Sequence, residues 1–240
     1  MQRVLGRSIV IILLLGLLIF LTIFTTQTGG TFYLATSQEI RLRTWEHIQL
    51  VIVAELLAIG IGIPLGFIIT RRGFKLLSPL ILGVTNIGQA IPSLAVVAVM
   101  LPILGIGFWP AIVALLISGL LPIVRNTYAG VNNIDASVIE SARGMGMTPG
   151  QILRKIELPL ARAVIMAGIR TSTVINVGVA TLAALIGSGG LGQLIIRGLS
   201  LNATELMLQG AAPAAGLAII FDTALNGIEN WMTPRGLKVG

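Results

Sequence analysis

Long, uninterrupted apolar segments separated by short charged ones are the feature that most constrains how this chain folds. A helix needs about 20 apolar residues to cross the hydrocarbon core of a bilayer, and lipid tolerates no unpaired backbone polar group. Charged residues make up only 10% of the 240, against about a quarter in soluble domains. The pattern predicts an all-α, polytopic membrane helix bundle with spans near 8–24, 47–70, 77–104, 109–128, 161–186 and 209–230.

The first apolar segment follows Arg3 and Arg7 and ends near Phe24. A charged start followed by an apolar run is also how a secretory signal peptide begins, but no A-x-A-like cleavage site follows here. We therefore expect a retained N-terminal span and an outer loop over residues 1–44. The rest divides into a helical core over 45–232 and a tail over 233–240.

The segment 77–104 contains Pro92 and Pro102, and it reads either as one kinked span or as two short ones. Lys and Arg concentrate in cytoplasmic loops, which favours the single span. That reading predicts six spans in the cell membrane with both termini cytoplasmic. It leaves Arg41, Arg43 and Arg197 outside and Arg170 within a span, and puts the remaining basic residues inside: Arg3, Arg7, Arg71, Arg72, Lys75, Arg125, Arg143, Arg154, Lys155, Arg162, Arg235 and Lys238.

The net charge of +7 does not indicate a nucleic-acid partner. Proteins that bind nucleic acid gather their basic residues on one solvated face, whereas here the charges punctuate apolar segments next to membrane lipid. The chain contains no cysteine, which excludes disulfides and thiolate metal sites. No metal site is expected at His47 either, because it is the only histidine and it has no companion ligands. We expect His47 to be an interfacial residue.

The polar stretch ESARGMGMTPGQILRKIELP interrupts the apolar pattern at residues 140–159, within a loop predicted over 133–160. Ser137 and Glu140 have the spacing of a capping box, which predicts the start of a short helix. Gly144 and Gly146 are suited to ending that helix, because glycine accepts the left-handed conformation at a helix C-terminus.

A second short helix is predicted directly after the first. Thr148 and Gln151 form another capping box, and Pro149 occupies the first helical position, where its missing N–H is harmless. Pro159 is expected to end this helix near Leu158. Apolar side chains on the first helix, among them Val138 and Met145, favour a knob that docks into a partner, and a solvated loop is the alternative.

The spacing in this loop resembles the EAA signature, E-A-A-x3-G-x9-I-x-L-P, of permease subunits of ABC importers. The matching residues are Glu140, Ser141 in place of the first Ala, Ala142, Gly146, Ile156, Leu158 and Pro159. The resemblance implies a type I ABC importer permease core of five helices plus one N-terminal span. It also implies that the loop is a coupling helix inserted into a cytoplasmic ABC ATPase subunit through Ser137, Glu140, Ser141, Ala142, Arg143, Gly144, Met145 and Gly146.

By the same resemblance, Glu140 would cap and orient the coupling helix, Ala142 would lie at close contact and Gly146 would allow the bend. The segments GQAIPSLAVVAVMLPILGIG, LLPIVRNTYAGV, AGIRTST and LIGSGGLGQLI are similar to the subgroup that imports quaternary-ammonium osmoprotectants such as glycine betaine, choline and carnitine. An amino acid or another small solute is the alternative cargo. The family also implies a second permease, identical or related, and an extracytoplasmic substrate-binding protein.

The chain itself is not expected to be an enzyme or to bind a cofactor. It lacks the G-x-x-x-x-G-K-[ST] phosphate cradle, so ATP would be bound by the partner subunit. No catalytic residue is predicted. The run Gly187 to Gly192 fits G-x-G-x-x-G but has no βαβ context, so we expect a tight turn, either beneath a docked binding protein or as a plain connection.

Three ionisable residues fall inside predicted spans, where a charge is costly unless it is paired or hydrated. Arg170 and Asp222 lie at similar depth, and we expect them to form an ion pair or to share a polar cavity; the alternative is that Arg170 lines the substrate path. Glu55 has no evident partner in the sequence, and we expect a water-filled vestibule around it.

Uncharged polar residues inside the spans are candidates for the translocation path. Pro92 supports this, because a proline within a helix frees a backbone carbonyl. Hydrogen bonding between helices is the alternative role. The candidates are Asn86, Gln89, Pro92, Ser93 and Asn176.

Overall fold

The computed structural model describes residues 34–74 and 76–232, and the predicted first span and the C-terminal tail lie outside these ranges. The described chain folds into helices. They are α1 (Ser37–Ile68), α2 (Ser78–Ala90), α3 (Ser93–Leu104), α4 (Phe108–Asn132), α5 (Ala136–Gly144), α6 (Pro149–Ile152), α7 (Leu158–Ala183), α8 (Gly192–Leu201) and α9 (Thr204–Met232).

Hydrogen bonds between distant parts of the chain define two ends of the bundle. At one end, the Gly107 amide donates to the Ile186 carbonyl; we call this the turn end, formed by residues 105–107 and 184–191. At the opposite end, Arg71 bonds Glu157; we call this the loop end, and residues 133–157 the loop segment. The chain crosses between these ends five times in the described residues, through α1, α2 with α3, α4, α7 and α9.

Helices α2 and α3 together make one crossing. The Ser78 hydroxyl bonds the Ile69 carbonyl at the loop end, and α3 finishes at the turn end beside Gly107. This confirms the predicted single span over 77–104, although the span is broken and not merely kinked. The break falls at Ile91, whose ψ of 126° is extended, because a residue before proline is driven out of the helical region by the proline ring.

Two predicted boundaries at the turn end are wrong. Helix α1 begins at Ser37, ten residues before the predicted 47, because Thr36 caps it by accepting a hydrogen bond from the Glu39 amide. No helix was predicted between the last two spans, yet α8 forms there, and α9 begins at Thr204 instead of 209. Polar first turns lowered the apolar signal of α1 and α9, so the sequence pattern registered each of these helices only from its first apolar residues onward.

Helix α4 is the centre of the bundle, packed between α1 and α7. Small residues let the backbones approach, as is common where helices meet in membranes. At Gly66 of α1, an added Cβ would lie 2.5 Å from Thr127 Cβ and 3.1 Å from the Val124 carbonyl oxygen. Neither a β-branched side chain nor a backbone oxygen in α4 moves aside easily, so only glycine fits at this crossing.

Replacement of Gly66 by alanine is therefore expected to destabilise the bundle by about 1–3 kcal/mol, the cost of overpacking a tight contact. The matched control is Gly60→Ala on the same helix, since an added Cβ there meets nothing within 4 Å. The measurement is the thermal unfolding midpoint of each purified variant in detergent. Equal midpoints for the two variants would contradict the described packing of α1 on α4.

Candidate functional site

The loop segment begins with α5, and its N-terminal cap is Asp135. Asp135 Oδ1 accepts a hydrogen bond from the Ser137 amide at 2.8 Å. This bond lowers the pKa of the exposed Asp135 carboxyl, so the cap is present at neutral pH and is lost as the pH falls through that lowered pKa. The predicted capping box of Ser137 and Glu140 is wrong, because Asp135 accepts the hydrogen bond of the Ser137 amide and starts the helix two residues earlier.

The predicted end of α5 and the predicted second cap are both confirmed. Helix α5 ends at Gly144, and Gly146 follows with a φ of 77°, a left-handed conformation that favours glycine. The chain then restarts at Thr148, whose side chain accepts from the Gln151 amide while the Gln151 side chain accepts from the Thr148 amide. The two short helices therefore meet at a fixed bend.

Helix α6 does not end near Leu158 as predicted, but continues into the spanning helix α7. A π-helical turn over Leu153–Glu157 joins the two, so Pro159 lies in the first turn of α7 and interrupts nothing. A π turn is wider than an α turn, and this width accommodates a proline ring that would clash inside a regular helix. The polar loop is thereby built as a direct extension of a membrane span.

The π turn is also tied to the turn that follows α1 by an ion pair that sequence analysis missed. Arg71 donates to both carboxylate oxygens of Glu157, and its Nη1 lies 2.9 Å from Oε1. Glu157 is buried, so the pair is shielded from solvent on one side. The partners are 86 residues apart in sequence, and no local pattern signals their contact.

Of the apolar residues predicted to face a partner, only some are available. Met145 is 74% exposed and Val138 is 39% exposed, both at the outer surface of the loop segment. Ala142 is instead fully buried within the chain itself, which removes it as a direct contact. The free apolar surface of α5 is therefore offered by Val138 and Met145, with Arg143 and Glu140 exposed beside them.

Arg170 of α7 and Asp222 of α9 lie in the contact that sequence analysis predicted. Arg170 Nε donates to Asp222 Oδ1 at 3.0 Å and Nη2 donates to Oδ2 at 3.2 Å. Arg170 Nη1 also donates to Glu229 at 3.2 Å. Glu229 lies seven residues after Asp222 and so on the same face of α9, a spacing from which its part in the contact could have been predicted. Both Arg170 and Asp222 line a cavity of about 390 Å³ between the helices.

Glu55 is buried and has partners on α7, contrary to the predicted vestibule. Its Oε2 accepts hydrogen bonds from the Ser172 hydroxyl and from Asn176 Nδ2, both at 2.9 Å. Asn176 is 0% exposed, so this candidate for the translocation path instead holds two spans together in the described structure. The sequence could not reveal the pairing because the residues lie 121 positions apart.

The other path candidates gather at the break between α2 and α3. Asn86 and Gln89 lie in the last two turns of α2, Pro92 caps α3 and Ser93 is its first residue. Pro92 is exposed on the surface of the chain and Ser93 is half-buried. The break falls near the middle of the crossing, because Gly88 packs against Leu121, midway along α4.

The turn end is held by contacts that sequence analysis did not foresee. Gly187, Gly189 and Gly190 all have positive φ, as expected of a tight turn. The Gly190 amide donates to Glu46 at 2.8 Å. His47 is not an interfacial residue as predicted: it is fully buried, and its Nε2 donates to the Val177 carbonyl at 3.2 Å.

The chain matches a known protein family over residues 62–236, and the description of that family is binding-protein-dependent transport system inner membrane component. The match extends over most of the described helices, including the loop segment. The chain belongs to this family, and it is a multi-pass inner membrane component of a transport system.

Its curated relatives are permease proteins of similar length. The choline transport system permease protein OpuBB of Bacillus subtilis is 46% identical over 200 residues, which cover 83% of this chain and 91% of OpuBB. The osmoprotectant import permease protein OsmY of Salmonella typhimurium is 42% identical over 235 residues, which cover 98% of this chain and 97% of OsmY. These relatives confirm the resemblance to osmoprotectant permeases.

Among solved structures, the inward-facing MetNI methionine ABC transporter is similar in fold. One of its chains superposes with a TM-score of 0.72 and 26% identity, covering 82% of this chain and 97% of that chain. This supports the ABC importer permease architecture that the EAA-like spacing predicted.

Charge reversal tests the contact between Arg170 and Asp222. Each single change, Arg170→Asp or Asp222→Arg, is expected to cost about 2 kcal/mol, less than the 3–5 kcal/mol of a fully buried pair because the Asp222 side chain is 42% exposed. The double variant should recover only part of this, since an aspartate at 170 faces Glu229. Unfolding midpoints in detergent are the measurement.

The matched control is the exposed ion pair between Arg197 and Glu39 at the turn end. Its reversal should change stability by less than about 1 kcal/mol, because exposed ion pairs are weak. The contact would be contradicted if the double Arg170–Asp222 variant were no more stable than either single one.

Proposed function

We propose that this chain is the membrane-spanning permease subunit of an ATP-driven importer for a quaternary-ammonium osmoprotectant such as glycine betaine, choline or carnitine. The observation that carries the proposal is the similarity, over most of the chain, to permeases named for these solutes. Two such permeases, identical or related, form the translocation path between them. Large apolar side chains exposed along α2, among them Leu80, Val84 and Ile87, are available to a second permease or to lipid.

The loop segment is the part that receives force from the ATPase subunit. Val138 and Met145 supply the apolar contact, and Asp135 holds α5 in place. Movement of α5 reaches α6 across the fixed bend, and movement of α6 passes directly into α7, because the π turn makes α6 and α7 one continuous helix. The ion pair of Arg71 with Glu157 passes the same movement to the turn that follows α1, where the Arg71 amide bonds the Ile68 carbonyl.

Transport follows from a bundle with two packings of similar energy, biased by nucleotide. ATP binding closes the ATPase subunits and opens the translocation path to the outside, and hydrolysis returns the path to its inward-facing state. The break at Pro92 gives the α2–α3 crossing a point at which its halves can move separately. Asn86, Gln89 and Ser93 surround that break and are the proposed polar contacts of the passing solute.

High-affinity capture belongs to a separate binding protein. A quaternary ammonium is usually held by an aromatic cage, and the predicted spans offer few aromatic residues, chiefly Phe67, Phe221 and Tyr128, of which Phe67 lies at the end of α1. The proposed docking surface for the binding protein is the turn end, where the Gly187–Gly190 turn and α8 lie.

Reconstitution in liposomes tests the function. The chain, its cognate ATPase and its binding protein are combined, and at least one of glycine betaine, choline and carnitine is expected to stimulate ATP turnover above the basal rate. Methionine is the amino-acid control and should give no stimulation. Stimulation by methionine alone would replace the proposed cargo with an amino acid.

The same assay tests the docking contact. Met145→Asn should abolish stimulated turnover because it removes the apolar contact, whereas Met145→Leu keeps that contact and should retain it. If both variants behave as wild type, the loop segment does not couple through Met145.

The proposed orientation places the loop end and both termini in the cytoplasm. Because the chain has no cysteine, single-cysteine variants report sidedness without background. Gly150→Cys at the loop end, where an added Cβ meets open space, should react with an impermeant thiol reagent only in inverted vesicles. Ser200→Cys on exposed α8 should react in intact cells, and the reverse pattern would invert the topology.

A further inference from the structure

The carboxyl group of Glu55 lies in the middle of the bundle without a counter-charge. It is only 7% exposed, and its hydrogen bonds in the described chain come from the neutral groups of Ser172 and Asn176. The Thr173 hydroxyl, which is also close to the carboxyl, is neutral and donates to the Ile169 carbonyl. An ionised carboxylate at membrane depth is expensive unless a cation or a metal compensates it. None of the ion pairs among the described residues includes Glu55.

Two acceptor atoms of this cluster are buried and have no donor. They are Glu55 Oε1 and Asn176 Oδ1, and they belong to groups already joined at 2.9 Å through Glu55 Oε2 and Asn176 Nδ2. A buried acceptor without a donor is destabilising, so two in one contact are unusual. Exchanging the oxygen and nitrogen of the Asn176 amide does not help, since it turns an acceptor toward the carboxylate.

The surroundings leave room for a very small ligand only. Gly119 of α4 closes the site, and an added Cβ there would lie 2.5 Å from Asn176 Nδ2 and 2.6 Å from Ser172 Oγ. A sodium or calcium ion needs several oxygen ligands, and Ca²⁺ takes 6–8. Only two oxygens of this cluster, Glu55 Oε1 and Asn176 Oδ1, are without a hydrogen-bond donor, which is fewer than such an ion needs.

We propose that Glu55 binds one proton on Oε1 and forms a neutral acid–amide pair with Asn176, which clamps α1 to α7 across Gly119. The bound proton removes the charge and turns one unsatisfied acceptor into a donor for the other. Asn176 donates to the carboxyl through Nδ2 and accepts from it through Oδ1. Helices α1 and α7 are thereby joined at membrane depth by uncharged hydrogen bonds, and α4 packs against them through Gly119.

The titratable and charged groups on the helices around the site have other surroundings, and none bonds Glu55. His47, two turns earlier on α1, bonds Val177, and Arg170 bonds Asp222 and Glu229 on α9. The remaining groups on the facing helices α4 and α7 are Arg125, which is exposed, and Tyr128 and Arg162, which are half-buried.

Infrared spectroscopy of the purified full chain, in a detergent without carbonyl groups, tests the proposal at neutral pH. The difference spectrum of wild type minus Glu55→Gln should contain the carbonyl stretch of a protonated carboxyl. The control, Glu205→Gln at a partly exposed position, should lack it. A difference spectrum that contains only carboxylate bands would overturn the proposal.

Thermal unfolding provides a second measurement that does not depend on the spectrum. Glutamine imitates the protonated acid, because its Nε2 can donate to Asn176 Oδ1. Glu55→Gln should therefore keep the wild-type midpoint and remove the loss of stability at high pH that deprotonation of Glu55 causes, whereas Glu55→Ala should lower the midpoint at every pH. A Glu55→Gln variant that is as unstable as Glu55→Ala, or a wild-type midpoint that rises with sodium, would overturn the proton site.

Discussion

Inside a bilayer a polar side chain has no water to bind, so each one must find its partner within the protein. This constraint organises the described bundle. Arg170 bonds two carboxylates of α9, and Glu55 bonds two side chains of α7. Both sets of contacts join helices that are distant in sequence. The polar residues of the spans therefore act first as connections between helices, whatever further role they have.

The two connections differ in what they hold. The Glu55 contacts lie at the centre of the bundle, where α1, α4 and α7 pack closely around glycines. Helix α9 is packed much less, with 6% of its most apolar stretch buried, and the Arg170 contacts fasten its half toward the loop end. A tightly packed centre and a loosely held outer helix suit the rearrangement of the spans that is proposed above.

Sequence patterns predicted the crossings, their direction relative to one another and the bend in the loop segment, because hydrophobic length, positive charge and capping signals act locally. The contact of Arg170 with Asp222 was accessible too, since a charge inside a span requires a partner at similar depth. Asn176 and His47 were misassigned because a polar residue in a span looks the same in sequence whether it faces a cavity or another helix. Arg71 with Glu157 was missed because both residues look like ordinary members of a charged loop.

The π turn at Leu153–Glu157 determines how α6 is rotated relative to α7 in the continuous helix that they form. A π turn contains an extra residue, and one residue corresponds to a rotation of about 100° around a helix axis. The π turn thus fixes the rotation of α6 about the helix axis relative to the face of α7 that carries Ser172 and Asn176. Loss of a single residue here would leave α6 and α7 helical, yet it would rotate α6 relative to α7 and turn one of the two helices away from its partners.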